Sequence, residues 1–519
     1  MNPTPTLYDQ DRLPRRRQLQ LAVGAIALIV AAYLAGWSPI WLPGDDSALY
    51  RMLGHNLATG EGYTTFGKPH TTVPPGYPLL LAGLEKAGLS EAGINAFTVA
   101  LSLACVALAW LMLRRHAGFE WAMLTCIAFA LASHVHELSM QMLSDIPCLA
   151  LVLLGLWLLM RWADGRRGTP VELGSIALVA AVTIRLAVLP LVLGAALGLL
   201  LQRRKPSAAR AWLNAAMIVL GAAGTLGLFY LYHVRHLDPT APTYAYHVEN
   251  LGHRGALQWL QIPLGNLLTA GQAIGRLVTS QSVSPKLLAA AIFLPIVLTG
   301  LVHRLCRNQV IGAVTTLAYV GGIVLLRDIK TRYLLPVAPL LILYFADGLA
   351  VLIGWLNRRI ESRRPTAKII SAAAAAIVLT LAGLNLFYDI REVVSVHGDD
   401  VLARHNHGNT LPNVEAALWM KASVGEQDKF FSTSNTWQLA WFSQRPALPL
   451  IRTMMNHPPP PETLFEIFDR NQVSLVIFNN EDIRDAGRDS WRPLLQAGLE
   501  QGRLVELWHG RKFTICRFQ

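Results

Sequence analysis

Long apolar runs alternate with short polar stretches from Leu19 to Tyr388. The runs Leu19–Trp37, Ala92–Leu113, Phe119–Val135, Ile146–Trp162, Trp212–Tyr232, Lys286–Val302, Gln309–Leu326, Leu334–Leu356 and Ile369–Tyr388 match the length of a bilayer-crossing helix. Leu173–Leu201 is too long for one crossing and is broken at Arg185 and Pro190, so it reads as two short spans joined by a turn. The pattern therefore predicts about eleven transmembrane helices. The segment PGYPLLLAGLEKAGL is apolar but short and carries Glu85 and Lys86, which suits a helix lying at the interface.

The polar stretches differ in sign. Arg15–Arg17, Arg114 and Arg115, Arg166 and Arg167, Arg203–Lys205, Arg304 and Arg307, and the run NRRIESRR all fall on one side of the predicted spans. Such an asymmetry marks the cytoplasmic side. It places the N-terminus in the cytoplasm and every acidic candidate loop on the outer face. Arg327, Lys330 and Arg332 depart from it. The run after Arg15–Arg17 is long enough to span and has no small-residue cleavage site, so it reads as an uncleaved first span.

Composition agrees. Hydrophobic residues make up 53%, charged residues 15%, and the mean hydropathy is +0.37. The net charge of +12 does not point to nucleic acid, because no basic stripe interleaved with aromatics is present. Cys105, Cys126 and Cys148 lie in apolar runs, and no CxxC or disulfide pattern appears.

From Asp389 the character changes. Strand-like runs (KFFSTS, VSLVIFNN, RLVELWH, KFTICRF) alternate with helical patterns (NVEAALWMKASV, PETLFEIF), with HPPPPE as a stiff connector. The division is a transmembrane region over 1–388 and an extracytoplasmic α/β domain over 389–519.

Candidate chemistry gathers in the outer loops. Pro43–Pro78 opens on Asp45 and Asp46, which either cap a helix or act as a functional carboxylate pair. Asp145 in LSDIP is a good helix cap, yet a carboxylate at the edge of hydrocarbon is a functional candidate. His134, His136 and Glu137 read either as a metal-like string or as interfacial polar residues. Lys330, Arg332 and Arg185 suit either an anionic lipid phosphate or snorkelling to headgroups. Lys68 and His70 also read as solvated loop residues.

Three segments in order resemble the GT-C glycosyltransferases. Asp46, Ala48 and Tyr50, continuing through NLATGEGYT to PPGYPLLLA, resemble their first outer loop. LSDIP resembles their second acidic motif, and RYLLPVAPLL their late RYLLP segment. The likeness is to the branch with the protein O-mannosyltransferases and the lipid A aminoarabinose transferase. It implies an inverting transferase that moves a sugar from a polyprenyl-phosphate donor to a glycan, lipid or protein acceptor outside the cytoplasmic membrane of a bacterium. By the resemblance Asp46 is the base, Asp145 the second acidic residue, and Arg332 the basic residue before the tyrosine. Asp45 is a further catalytic candidate, and Arg332, Tyr333, Lys330, Arg185, Tyr77 and Glu137 are candidate substrate contacts. Val73 stands before Pro74 and Pro75 where the aminoarabinose branch has lysine, which leaves phosphate contact from this loop to Lys68 or His70. Some relatives use a divalent cation; no ligand set for one is defined here. A lipid-linked-sugar transporter and a non-catalytic envelope-assembly protein are the rival readings.

Overall fold

The computed structural model describes residues 14–37, 45–115, 117–202, 206–236, 256–279, 286–325, 330–359, 410–448, 459–484, 491–510 and 512–519. Its helical part begins with α1 (Arg15–Gly36) and α2 (Asp45–Thr59). A two-stranded hairpin follows, β1 (Thr64–Thr65) and β2 (Lys68–Pro69), turning through Phe66 and Gly67, both at positive φ. Next come α3 (Gly76–Lys86), α4 (Glu91–Leu113), α5 (Gly118–Ala130), α6 (Ser133–Ser139), α7 (Asp145–Ala163), α8 (Val171–Ile184), α9 (Leu189–Leu201) and α10 (Ala208–Arg235). The series ends with α11 (Ala256–Thr279), α12 (Lys286–Cys306), α13 (Val310–Val324) and α14 (Ala338–Arg359), the last entered through a 3₁₀ turn at Thr331–Val337.

Six described helical segments are long and apolar enough to cross a membrane, and four shorter apolar helices join them. The expected break in Leu173–Leu201 falls where Arg185 takes an extended conformation (φ −151°, ψ 111°) between α8 and a 3₁₀ turn, with Pro190 in the first turn of α9. Proline is tolerated there because its missing N–H has no helical partner at that position. The expected span Phe119–Val135 is instead two helices, α5 and α6, separated at Leu131 and Ala132. The segment His233–Pro285, expected as an outer loop, contains the 24-residue α11, whose polar Gln and Asn positions mask it from a hydropathy reading. The span Ile369–Tyr388 lies outside the described residues, as do Arg327 and the tyrosines and histidine of the His233–Pro285 segment, Tyr244, Tyr246 and His247.

The described residues from 410 onward build a five-stranded sheet of order β4-β3-β5-β7-β6 with its helices. Its elements are α15 (Thr410–Ser423), β3 (Lys429–Ser432), α16 (Thr436–Ser443), β4 (Ala447–Leu448), α17 (Pro461–Asn471), β5 (Val473–Asn479), α18 (Asn480–Arg484), α19 (Arg492–Glu500), β6 (Leu504–His509) and β7 (Phe513–Phe518). β3, β4 and β5 run parallel; β7 and β6 close the far edge antiparallel. Successive strand residues face opposite sides. Phe430, Leu475, Ile477 and Ile515 accordingly pack with Ala416, Met420 and Leu439 of α15 and α16. Phe431, Val476, Phe478 and Cys516 pack with Leu464, Phe468 and Leu494 of α17 and α19. Helices cover both faces, which is why the run VSLVIF is apolar throughout rather than alternating.

One feature of the helical part reverses an expectation. Arg304, read from sequence as part of a basic cytoplasmic cluster, is 1% exposed. Its guanidinium holds Asp347 of α14 through two nitrogens and donates to Gln309 Oε1 at 2.8 Å. α12 and α14 approach closely enough for this because Gly300 and Gly348 face each other's backbone, where a Cβ on either would strike the opposite chain. Removing one member of a buried pair leaves an unpaired charge, at about 3–5 kcal/mol, whereas replacing both with apolar residues is often near neutral. Asp347→Ala should therefore lower the thermal midpoint of the detergent-solubilised protein sharply, and Arg304→Met with Asp347→Leu should recover most of it. A double variant no more stable than the single one would contradict this account.

Candidate active site

The charged residues singled out from sequence lie at helix ends, and four of them form two pairs. Asp145 opens α7, and Arg185 occupies the break between α8 and α9. Arg185 Nη1 lies 2.5 Å from Asp145 Oδ1, and both side chains are largely buried. Asp46 stands in the first turn of α2, and Arg332 in the 3₁₀ turn before α14. Arg332 Nη2 donates to Asp46 Oδ2 at 2.8 Å, across 286 residues of chain. Tyr333 joins the pairs: Arg185 lies 5.3 Å and Arg332 5.9 Å from its ring centroid. Cations over an aromatic face are attracted by the ring quadrupole.

The backbone around Tyr333 is fixed from below. Tyr319 of α13 donates its hydroxyl to the Tyr333 carbonyl at 2.5 Å. Tyr50 of α2 shares a 3.1 Å hydrogen bond with Ser144, next to Asp145, and meets Tyr77 edge-on at 5.0 Å. Tyr77 is buried, and its hydroxyl has no hydrogen-bond partner among the described residues. Gly76 lets the start of α3 rest on the end of α8: a Cβ there would lie 2.6 Å from the Thr183 carbonyl. The break that carries Arg185 and the helix start that carries Tyr77 are thus held in register.

The two carboxylates differ. Asp145 is 4% exposed and engaged by a buried guanidinium; the Asp46 side chain is 55% exposed. Only an accessible carboxylate can meet an incoming hydroxyl, so Asp46 suits proton transfer and Asp145 suits holding Arg185. Among the described residues Arg332 Nε is buried without a hydrogen-bond partner, a donor left over beside Asp46. The backbone of Asp45 is helical; its side chain lies outside the described atoms.

Other candidates sit elsewhere. Lys330 is exposed just before the 3₁₀ turn, and Lys68 is exposed on β2. Glu137 accepts from Gln141 at 3.3 Å and lies 3.4 Å from His134 within the α6 region. His70 does not present a cation. It is 5% exposed, its Nε2 accepts the Val73 N–H at 3.3 Å, and Tyr63 donates to the Val73 carbonyl at 2.5 Å. Burial lowers the His70 imidazole from 6.5 to about 4, so it is neutral at physiological pH. Sequence reasoning did not single out Tyr319, because a lone tyrosine in an apolar run reads as core.

No protein-family model matches the sequence, and no curated protein matches it. Solved structures do. ArnT from Cupriavidus metallidurans bound to undecaprenyl phosphate is 14% identical, covers 96% of this chain and 98% of its own, and superposes with a TM-score of 0.60. The chain has a GT-C fold. The archaeal oligosaccharyltransferase AglB from Archaeoglobus fulgidus, solved with an inhibitory peptide and a dolichol-phosphate, is 12% identical over 90% of this chain and 69% of its own, with a TM-score of 0.53. The Archaeoglobus fulgidus oligosaccharyltransferase has also been solved with Zn and sulfate, at 13% identity and a TM-score of 0.51, over 89% of this chain and 68% of that one.

In this GT-C fold no three His, Cys, Asp or Glu side chains among the described residues are grouped to hold a metal. Asp46 and Asp145 instead each face a guanidinium.

The His70 environment makes a pH prediction. Between pH 6.5 and about 4 the unfolded chain binds a proton at His70 that the folded chain does not. Stability should fall as pH drops through that window, by up to roughly 3 kcal/mol from this residue. His70→Gln, which keeps an acceptor but takes up no proton, should show a smaller fall in Tm from pH 7 to pH 5 than the parent. Equal falls would show that His70 does not titrate as its burial requires.

Proposed function

We propose that the chain is an inverting glycosyltransferase of the cytoplasmic membrane that takes a sugar from a polyprenyl-phosphate donor and transfers it to an envelope glycan, lipid or protein on the outer face. The observation that carries this reading is the convergence of Asp46–Arg332 and Asp145–Arg185 on Tyr333. One exposed carboxylate and two guanidinium groups at a helix-end surface match what the reaction needs. The acceptor hydroxyl gives its proton to Asp46 as it attacks the anomeric carbon from the face opposite the phosphate. The glycosidic bond forms, the bond from that carbon to the phosphate oxygen breaks, and the polyprenyl phosphate leaves as an anion. Charge grows on the departing phosphate, and Arg332 and Arg185 are placed to hold it. Lys330 is a further cation close in sequence, available to a phosphate at the membrane surface.

The GT-C neighbours support a lipid-phosphate donor: ArnT was solved with undecaprenyl phosphate and AglB with a dolichol-phosphate and a peptide. The charge asymmetry supports a cytoplasmic N-terminus and an outer-side location for the pairs and for the sheet unit, in a domain from about residue 389 onward. A transporter would place charged sites deep in the bundle. The other buried pair in the described residues, Arg304–Asp347, is closed by its own hydrogen bonds and buried on both sides. That disfavours transport.

Asp46→Asn should lower transfer by about 10²–10⁴-fold, the range of a lost general base. The check is mass spectrometry of envelope lipid, glycan and protein in a deletion strain carrying parent or variant at matched expression. One sugar-sized mass should be missing in the deletion and in Asp46→Asn alike. Full restoration by Asp46→Asn would remove Asp46 from the reaction and return transport or scaffolding to the front. Arg332→Lys keeps the charge but loses the planar fork, and should cost less than Arg332→Ala.

A further inference from the structure

α16 belongs to the C-terminal sheet unit by sequence, yet its aromatic side chains reach the first loop and α2. Phe66 stacks on Trp437 with centroids 5.3 Å and planes 6° apart, and His70 meets the same indole edge-on at 6.3 Å. One helical turn later, Trp441 carries the Arg51 guanidinium over its ring at 5.2 Å and lies edge-on to His55 at 6.1 Å. The packing is mutual. Met52 and Phe66 rest on the core of the sheet unit, and Trp437, Trp441 and Phe442 rest on the helical core.

Arg51 is where these contacts meet. Its side chain is 6% exposed, its Nη1 donates to Glu85 of α3 at 2.8 Å, and its Nε lies 3.6 Å from Glu91 of α4. His55, one turn further, lies 2.7 Å from the other Glu85 oxygen. Arg51 follows Asp46 by five residues, about 7.5 Å along the helix axis. Asp46 is in the first turn of α2, where the backbone has the fewest helical hydrogen bonds. Its direction is therefore set by how firmly the next turn is held against rotation. Two carboxylates hold Arg51 from the membrane part, and an indole holds it from the sheet unit.

We propose that Arg51 and Trp441 are positioning residues for Asp46, and that the sheet unit takes part in transfer by clamping α2 through this guanidinium. The proposal rests on the reading of Asp46 as the base. A cation over an indole and a stacked ring pair both depend on orientation. They can fix the rotation of α2, which apolar packing alone would leave loose.

The test compares Trp441→Ala and Trp441→Phe in the full-length protein with two readouts: hydrogen exchange of residues 45–59, and formation of the sugar-bearing product in the complemented deletion strain. Trp441→Ala should lower product formation at least tenfold and raise exchange in 45–59, while exchange in β3 and β5 stays at the parent level. Trp441→Phe, which keeps a ring under Arg51, should recover at least a third of both. Parent-like exchange in 45–59 with parent-like product in Trp441→Ala would overturn the proposal. So would a loss that spreads to β3 and β5 and that phenylalanine does not rescue, since that is a folding defect. If Asp46→Asn retains full transfer, the reading of the site fails by itself; exchange in 45–59 still decides whether Trp441 holds α2.

Discussion

A charge at the edge of hydrocarbon is tolerated only when another group takes up its field. The architecture around Tyr333 is arranged to meet that constraint four times over. Asp145 starts a helix, Arg185 sits in a break between two, Asp46 lies in a first turn, and Arg332 lies in a 3₁₀ turn. No two of these segments are neighbours in sequence. Their side chains meet because the helices between them pack, and the packing in turn has to leave the four ends at one place. The site therefore depends on the bundle as a whole, and a change that lets α8 slide on α3 at Gly76 and Thr183 should reach Arg185 without touching any charge.

The same chemistry appears a second time with the opposite result. Arg304 and Asp347 also form a guanidinium–carboxylate pair, but both are buried, with Gln309 adding a third partner. Nothing remains to act on a ligand. At the Tyr333 cluster the Asp46 carboxylate stays half exposed and a donor of Arg332 goes unmatched. The two pairs thus differ in what each leaves unsatisfied rather than in residue type.

That difference explains what could be read from the sequence. Most of the helical spans up to α14 followed from hydropathy, and the break at Arg185 from Pro190 and a charge inside an apolar run. Asp46, Asp145 and Arg332 stood out because carboxylates and cations are scarce in such a chain. The partners were not legible. Arg185 reaches Asp145 and Arg332 reaches Asp46 only in the packed bundle. Arg304 carried the local signature of a cytoplasmic loop, while its partner Asp347 was a single acid within an otherwise apolar span. α11 escaped because an amphipathic helix of Gln, Asn and Leu has the mean hydropathy of a loop. In the sheet unit, four of the five strands were visible as aromatic and β-branched runs; β4, two residues long, had no pattern to show.

The first loop is held in a manner that bears on mechanism. Its buried histidine is neutral, Val73 gives both its backbone groups to His70 and Tyr63, and Phe66 lies flat on an indole of the sheet unit. None of these contacts supplies a cation to a phosphate. The guanidinium groups come instead from the α8–α9 break and the turn before α14. Asp46 and Arg332 thus come from segments 286 residues apart, and the distance between them is set where α2 meets the 3₁₀ turn. A loop fixed by aromatic and neutral contacts keeps its shape when an anionic lipid arrives or leaves, whereas one fixed by charge would rearrange with each anion. On that argument the stacked rings of Phe66 and Trp437 keep the loop in one shape whichever anion meets the guanidinium side.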